Sequence, residues 1–117
     1  MSTAFNKVKN FCAVFNLRAS IVEDVDPALI QLKSTGIGAS VYTFTGMKQM
    51  LHELERQGLL TCLNIPEQGA SLRQERDYQI ADHVYANGKL DKSSILLKIP
   101  QKTLLNIENN VSFDFSL

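Results

Sequence analysis

The chain has 117 residues, with 12 Lys+Arg against 12 Asp+Glu, 44% hydrophobic and 21% charged side chains. That length holds one domain with one modest core, and the apolar fraction argues against a disordered chain. No apolar run is long enough to span a membrane, and the zero net charge excludes a histone-like nucleic-acid coat.

A first helix is expected over residues 3–16, where Phe5, Val8, Phe11, Cys12, Val14 and Phe15 recur at helical offsets and Ser2 or Thr3 is available as N-cap. Residues 1–19 carry the basic side chains Lys7, Lys9 and Arg18 and no acidic one. Residues 19–25 read as a short strand or extended link. Asp26-Pro27 then starts a second helix, Asp as cap and Pro at the first helical position, which runs to Lys33 and stops at Ser34-Thr35-Gly36. After a Gly36–Ser40 loop, Val41 to Thr45 alternates apolar and hydroxyl-bearing residues as a strand does.

The strongest helix signal follows. Thr45 caps it, and Met47, Met50, Leu51, Leu54 and Leu59 form the inner stripe. Lys48, Gln49, His52, Glu53, Glu55 and Arg56 face outward, and Gly58 sits where a left-handed C-terminal cap belongs. Leu59 to Ile65 is strand-like, Pro66 to Gly69 a turn, and Tyr78 and Ile80 alternate in a returning strand. Asn87-Gly88 is the dipeptide of a tight hairpin. Ser94 to Ile99 reads as a strand ended by Pro100, Gln101 to Glu108 as a short helix, and Val111, Phe113 and Phe115 as one face of a last strand. The expected fold class is α+β: a small single domain over 1–117 with three to four helices, a β-hairpin and additional C-terminal strands.

The string Leu51-x-x-Leu54-Glu55-x-x-Gly58-Leu59-Leu60, followed by a strand, a Gly-containing loop and a returning strand, resembles the third helix and wing of winged-helix DNA-binding domains. The resemblance covers about 27–82, with 90–117 as a strand-helix-strand extension. It implies that residues 3–16 are the first helix and Pro27 to Lys33 the second, with a wing from Leu60 to Ile80. The function it implies is a small non-catalytic transcriptional regulator that binds double-stranded DNA, as a homodimer where two half-sites are read. Lys48, Arg56, Arg73 and Arg76 would then contact phosphates, and Gln49 and His52 base edges.

Nothing in the sequence composes a catalytic site. His52 and His83 stand 31 residues apart, outside any metal-ligand spacing, and His52-Glu53 lacks the second histidine of a zinc-protease helix. Gly36-x-Gly38 has no third glycine or following Lys-Ser/Thr, and Ser40 and Ser71 lie outside any nucleophile elbow. Cys12 and Cys62 read as buried free thiols rather than as a disulfide. The chain is expected not to be an enzyme and to need no cofactor or metal, and the cytoplasm is the expected location.

A second reading is a non-catalytic protein-binding module, an inhibitor, immunity, anti-defence or adaptor protein. Over residues 47–77, Lys48, Arg56, Arg73 and Arg76 are outnumbered by Glu53, Glu55, Glu67, Glu75 and Asp77, which favours a protein over a phosphate backbone. An edge strand carrying Val111, Phe113 and Phe115 would offer a template for a partner strand. Met47 and Met50 with Tyr42 and Phe44 would offer an adaptable apolar surface.

Overall fold

A computed structural model describes residues 3–22, 24–60, 73–74, 79–81, 84–86 and 89–110. In chain order the elements are α1 (Thr3–Val14), β1 (Arg18–Val22), β2 (Ala28–Lys33), α2 (Ala39–Arg56), β3 (Arg73–Gln74), β4 (Gln79–Ala81), β5 (Val84–Ala86), β6 (Lys89–Asp91), β7 (Ser94–Ile99) and α3 (Gln101–Asn109). Five strands form an antiparallel sheet in the order β1-β2-β7-β4-β3, and β5 and β6 pair separately. The protein is thus a small α+β domain with three helices among the described residues and an antiparallel sheet.

Register across the sheet explains where the core lies. Ala19 opposes Leu32, which opposes Ile95; Ile21 opposes Ile30, which opposes Leu97. Facing residues of antiparallel strands share a side, so these rows present one continuous apolar surface. Against it pack Val8, Phe11 and Cys12 from α1, Met47, Met50, Leu51 and Leu54 from α2, and Leu104 and Ile107 from α3. Each fully buried side chain of this size contributes roughly 2 kcal/mol. The other side of the sheet carries Ser20, Val22, Leu29, Gln31, Leu96 and Lys98, which are half-buried or exposed.

Several expected elements stand as read: the first helix, the strand Ser94–Ile99 and the helix from Gln101. β5 and β6 pair with Ala86 opposite Lys89, and the Asn87-Gly88 hairpin turn expected between them lies outside the described residues. Gly58 has φ 73°, and the N–H groups of Leu59 and Gly58 donate to the carbonyls of Leu54 (3.0 Å) and Glu55 (2.9 Å). That pair of bonds is the Schellman closure of α2.

Two segments differ. Residues 27–33, read as a second helix, contain β2: Ala28, Ile30 and Leu32 are buried while Leu29, Gln31 and Lys33 are half-buried, a period of two. With β1 on one side and β7 on the other, both backbone edges of this segment are hydrogen-bonded. Pairing on both sides outweighs a local start signal spread over only six residues. Val41 to Thr45, read as a strand, forms the early turns of α2, whose N-cap is Gly38 at φ 80°. Thr43, Gly46, Met47, Met50, Leu51 and Leu54 are its buried residues, so the inner stripe begins one turn earlier than the methionines, and Thr45 lies inside the helix rather than at its cap. The helix expected to precede α2 in a helix-turn-helix is therefore a strand, and Met47 and Met50 belong to the core rather than to a surface. The expected strand Leu59–Ile65 beyond Leu60, the wing tip up to residue 72 and the last strand at 111–117 lie outside the described residues, as does Cys62, whereas Arg73–Gln74, expected at the end of the tip, is β3 and pairs with β4.

Candidate functional site

Of the residues singled out for nucleic-acid contact, α2 brings four together. Lys48, Gln49, His52 and Arg56 are all exposed; Lys48, His52 and Arg56 follow at intervals of four and Gln49 stands three before His52, which puts them on one side of the helix. Thr45 and Tyr42 extend that row toward the N-terminal end, both exposed. The C-terminal end of the row is electrically closed. Arg56 donates through Nε to Glu53 Oε2 at 2.9 Å and through Nη2 to Glu53 Oε1 at 2.5 Å. The Arg56 guanidinium, helped by the Gln57 amide, pulls the Glu53 carboxyl down to about 2. Glu55 is exposed beside them. Arg73 lies on β3, at the margin of the sheet opposite β1, whereas α2 packs on β2 and β7. Arg76 lies outside the described residues.

A polar recess lies at the other end of the row. There the end of α1, the start of β1, the end of β2 and the first turns of α2 meet around two adjoining grooves. The larger, about 640 Å³, is lined by Phe15, Tyr42, Thr45 and Gln49. The smaller, about 310 Å³, is lined by Lys9, Arg18 and Lys33. Asn16, Ser34 and Thr35 line both, so the two adjoin. Gln49 joins the grooves to the exposed row of α2.

The floor is tied by a chain of hydrogen bonds. The Ser34 N–H donates to Thr43 Oγ1 at 2.8 Å, the Thr43 hydroxyl donates to the Ser93 carbonyl at 2.7 Å, and the Ser34 hydroxyl donates to the Asn16 carbonyl at 3.2 Å. Thr43 has 0% exposure, so this is a buried connection between β2, α2 and the turn before β7. Asn16 adopts a left-handed φ of 61°, which turns the chain out of α1 and into β1. Close packing holds the wall: an ideal Cβ on Gly46 would stand 2.6 Å from the Phe15 carbonyl oxygen.

Charge around the grooves is one-signed. None of the residues lining them carries a carboxylate. Asp91 lies just beyond, bonded to Lys33 at 3.3 Å, and the Ser93 hydroxyl and N–H together with that ammonium hold its carboxyl well below the usual range. The described acidic residues Asp24 and Asp26 lie in the β1–β2 connection, away from Arg18 and Lys33, which face each other at the opposite ends of those strands. Cys12 offers no nucleophile: burial pushes its thiol up to about 12, and its Sγ lies 3.5 Å from the Met50 sulfur. Among the described residues no three His, Cys, Asp or Glu side chains converge in a metal-binding group.

Reading the sequence singled out Gln49 but not Lys9, Asn16, Arg18, Lys33 or Thr35. One signal pointed there, the basic and acid-free run of residues 1–19. Tyr42 enters the sequence reading only as part of an apolar surface with Met47, Met50 and Phe44, on a segment read as a strand. No helix among the described residues is long and apolar enough to cross a membrane. Compared with known proteins, the chain matches no family model, no curated protein and no solved structure.

Proposed function

We propose that this chain is a non-catalytic nucleic-acid-binding domain that holds its partner at the corner between α1, β1, β2 and α2, in place of a winged helix. The observation that carries this reading is the carboxylate-free lining of the adjoining grooves, with Lys9 and Arg18 at one end and Gln49 at the other, Lys33 being engaged by Asp91. Phosphate contacts need cations without competing carboxylates nearby, and Lys9 and Arg18 meet that need on a described surface. Lys48 and His52 extend it along α2, while Arg56, held by Glu53, contributes little to phosphate binding.

A labelled oligonucleotide titrated with the protein at about 50 and 200 mM salt tests this by anisotropy. Binding that weakens steeply with salt is expected, and the double change Lys9→Ala, Arg18→Ala should reduce both the affinity and the salt slope. Lys102→Ala, on the exposed side of α3, should leave both unchanged. Absence of binding to single-stranded and duplex probes alike at the lower salt overturns the proposal.

A second reading, a protein-docking module, is supported by one patch. Ile37 is 100% exposed between two glycines of positive φ, and Val41 and Tyr42 stand exposed one turn into α2. Apolar side chains left in water at a loop tip are a common feature of docking surfaces. Protein capture abolished by Ile37→Ser, with no nucleic-acid binding, would favour this reading over the first.

A further inference from the structure

Resting on the nucleic-acid reading, we infer that the adjoining grooves take a single strand, DNA or RNA, with an unstacked base against Tyr42 and its flanking phosphates against Lys9 and Arg18. The reason is shape. A duplex presents convex phosphate ridges and keeps its bases stacked inside, and it is read by an element that protrudes into its groove. Here the cations and the hydrogen-bonding groups line a recess, which a base still stacked in a duplex cannot enter.

The lining matches the three parts of a nucleotide. Tyr42, 61% exposed on α2, offers a ring face, and Phe15 lies on the wall of the same groove. Stacking on an aromatic ring is the sequence-tolerant way of holding a splayed base. Asn16, Thr35, Thr45 and Gln49 bring amides and hydroxyls, which donate and accept at base edges and at sugar hydroxyls. Lys9 and Arg18 stand in the adjoining groove, where the strand's next phosphates would run; Lys33 is shared with Asp91. The Ser34–Thr43–Ser93 hydrogen bonds fix the backbone beneath the groove before a ligand arrives.

The chain contains no tryptophan, so Tyr42→Trp installs a unique fluorophore at the stacking position. We expect its emission to be quenched by oligo-dT or oligo-U of about 12 nucleotides and little changed by a duplex of the same length. In anisotropy, single strands should bind the unmodified protein at least about tenfold more tightly than the duplex, and Tyr42→Ala should remove roughly tenfold of that affinity while Tyr42→Phe retains it. Tyr42 is exposed, so these variants should keep the far-UV circular dichroism and denaturation midpoint of the parent. Quenching by either sugar supports the inference, and the ratio between them reads the contribution of the 2′-hydroxyl. Duplex binding as tight as single-strand binding, still dependent on Lys9 and Arg18, overturns the single-strand inference and leaves the nucleic-acid reading standing. No binding of any probe overturns both.

Discussion

The carboxylate Oδ1 of Asp26 accepts the backbone N–H of Gln101 at 3.1 Å, across 75 positions of sequence. Helix α3 begins after Pro100, whose side chain has no acceptor to cap the first amide. Asp26 supplies that acceptor from the β1–β2 connection, and the Gln101 side-chain amide returns a bond to the Val25 carbonyl at 2.7 Å. A negative charge at a helix N-terminus also meets the positive end of the helix dipole. Asp26→Ala should therefore destabilise the protein by about 1 kcal/mol, with the loss seen first as faster amide exchange in α3. Asp26→Asn, which keeps an acceptor and loses the charge, should recover part of it. The measurement is a urea midpoint for each variant beside exchange of the α3 amides.

Gly46 stands where α2 crosses the end of α1. Its backbone is ordinary helix, so the constraint is space: an added Cβ would meet the Phe15 carbonyl oxygen at 2.6 Å and Leu17 Cδ2 at 3.0 Å. The nearest atom is backbone and cannot swing aside. Gly46→Ala gains helix propensity but should still cost about 2 kcal/mol net. Denaturation read by circular dichroism checks it, and a variant as stable as the parent would show that the two segments separate cheaply. Phe15 lines the larger groove, so the same variant should also weaken strand binding.

Thr43→Val keeps the size of the side chain and removes its hydroxyl. The Ser34 N–H would then lose its acceptor and the Ser93 carbonyl its donor, beside the fully buried Thr43 side chain. Leaving a buried amide unsatisfied costs about 1–3 kcal/mol, whereas Thr43→Ser, which retains the oxygen, should cost less despite its lost methyl. Equal midpoints for Val and Ser would sink the argument that this hydrogen bond pins the groove floor.

Cys12 gives the protein a stability loss in alkali. Burial raises its thiol from an ordinary 9.0 to about 12. The unfolded chain releases that proton first, so the contribution of the buried thiol is complete below pH 9 and is lost progressively as pH rises from there toward 12. Cys12→Ala should flatten the fall of the denaturation midpoint as pH rises from about 9 toward 12. Peptide mapping after alkylation should find Cys12 unmodified in the native protein and modified in denaturant.

Local signals in the sequence determined a definite part of this structure. The helical spacing from Phe5 to Val14, the stripe from Met47 to Leu54 with Gly58 closing it, and the run Ser94–Ile99 each act within about a dozen residues, and each corresponds to an observed element. Tertiary structure decided the rest. Residues 28–33 are a strand because β1 and β7 flank them, and Val41 to Thr45 is helical because the buried Thr43 bonds to Ser93 and completes the stripe of α2. Asp26 carries a cap signal that is used, but by a helix 75 positions away. The grooves belong wholly to this second class: Lys9, Asn16 and Arg18, then Lys33 and Thr35, then Tyr42 and Gln49 come from separate elements. Periodicity and capping are properties of neighbouring residues, whereas a recess and its charge exist only once the sheet has set which strand ends and which helix turns lie side by side.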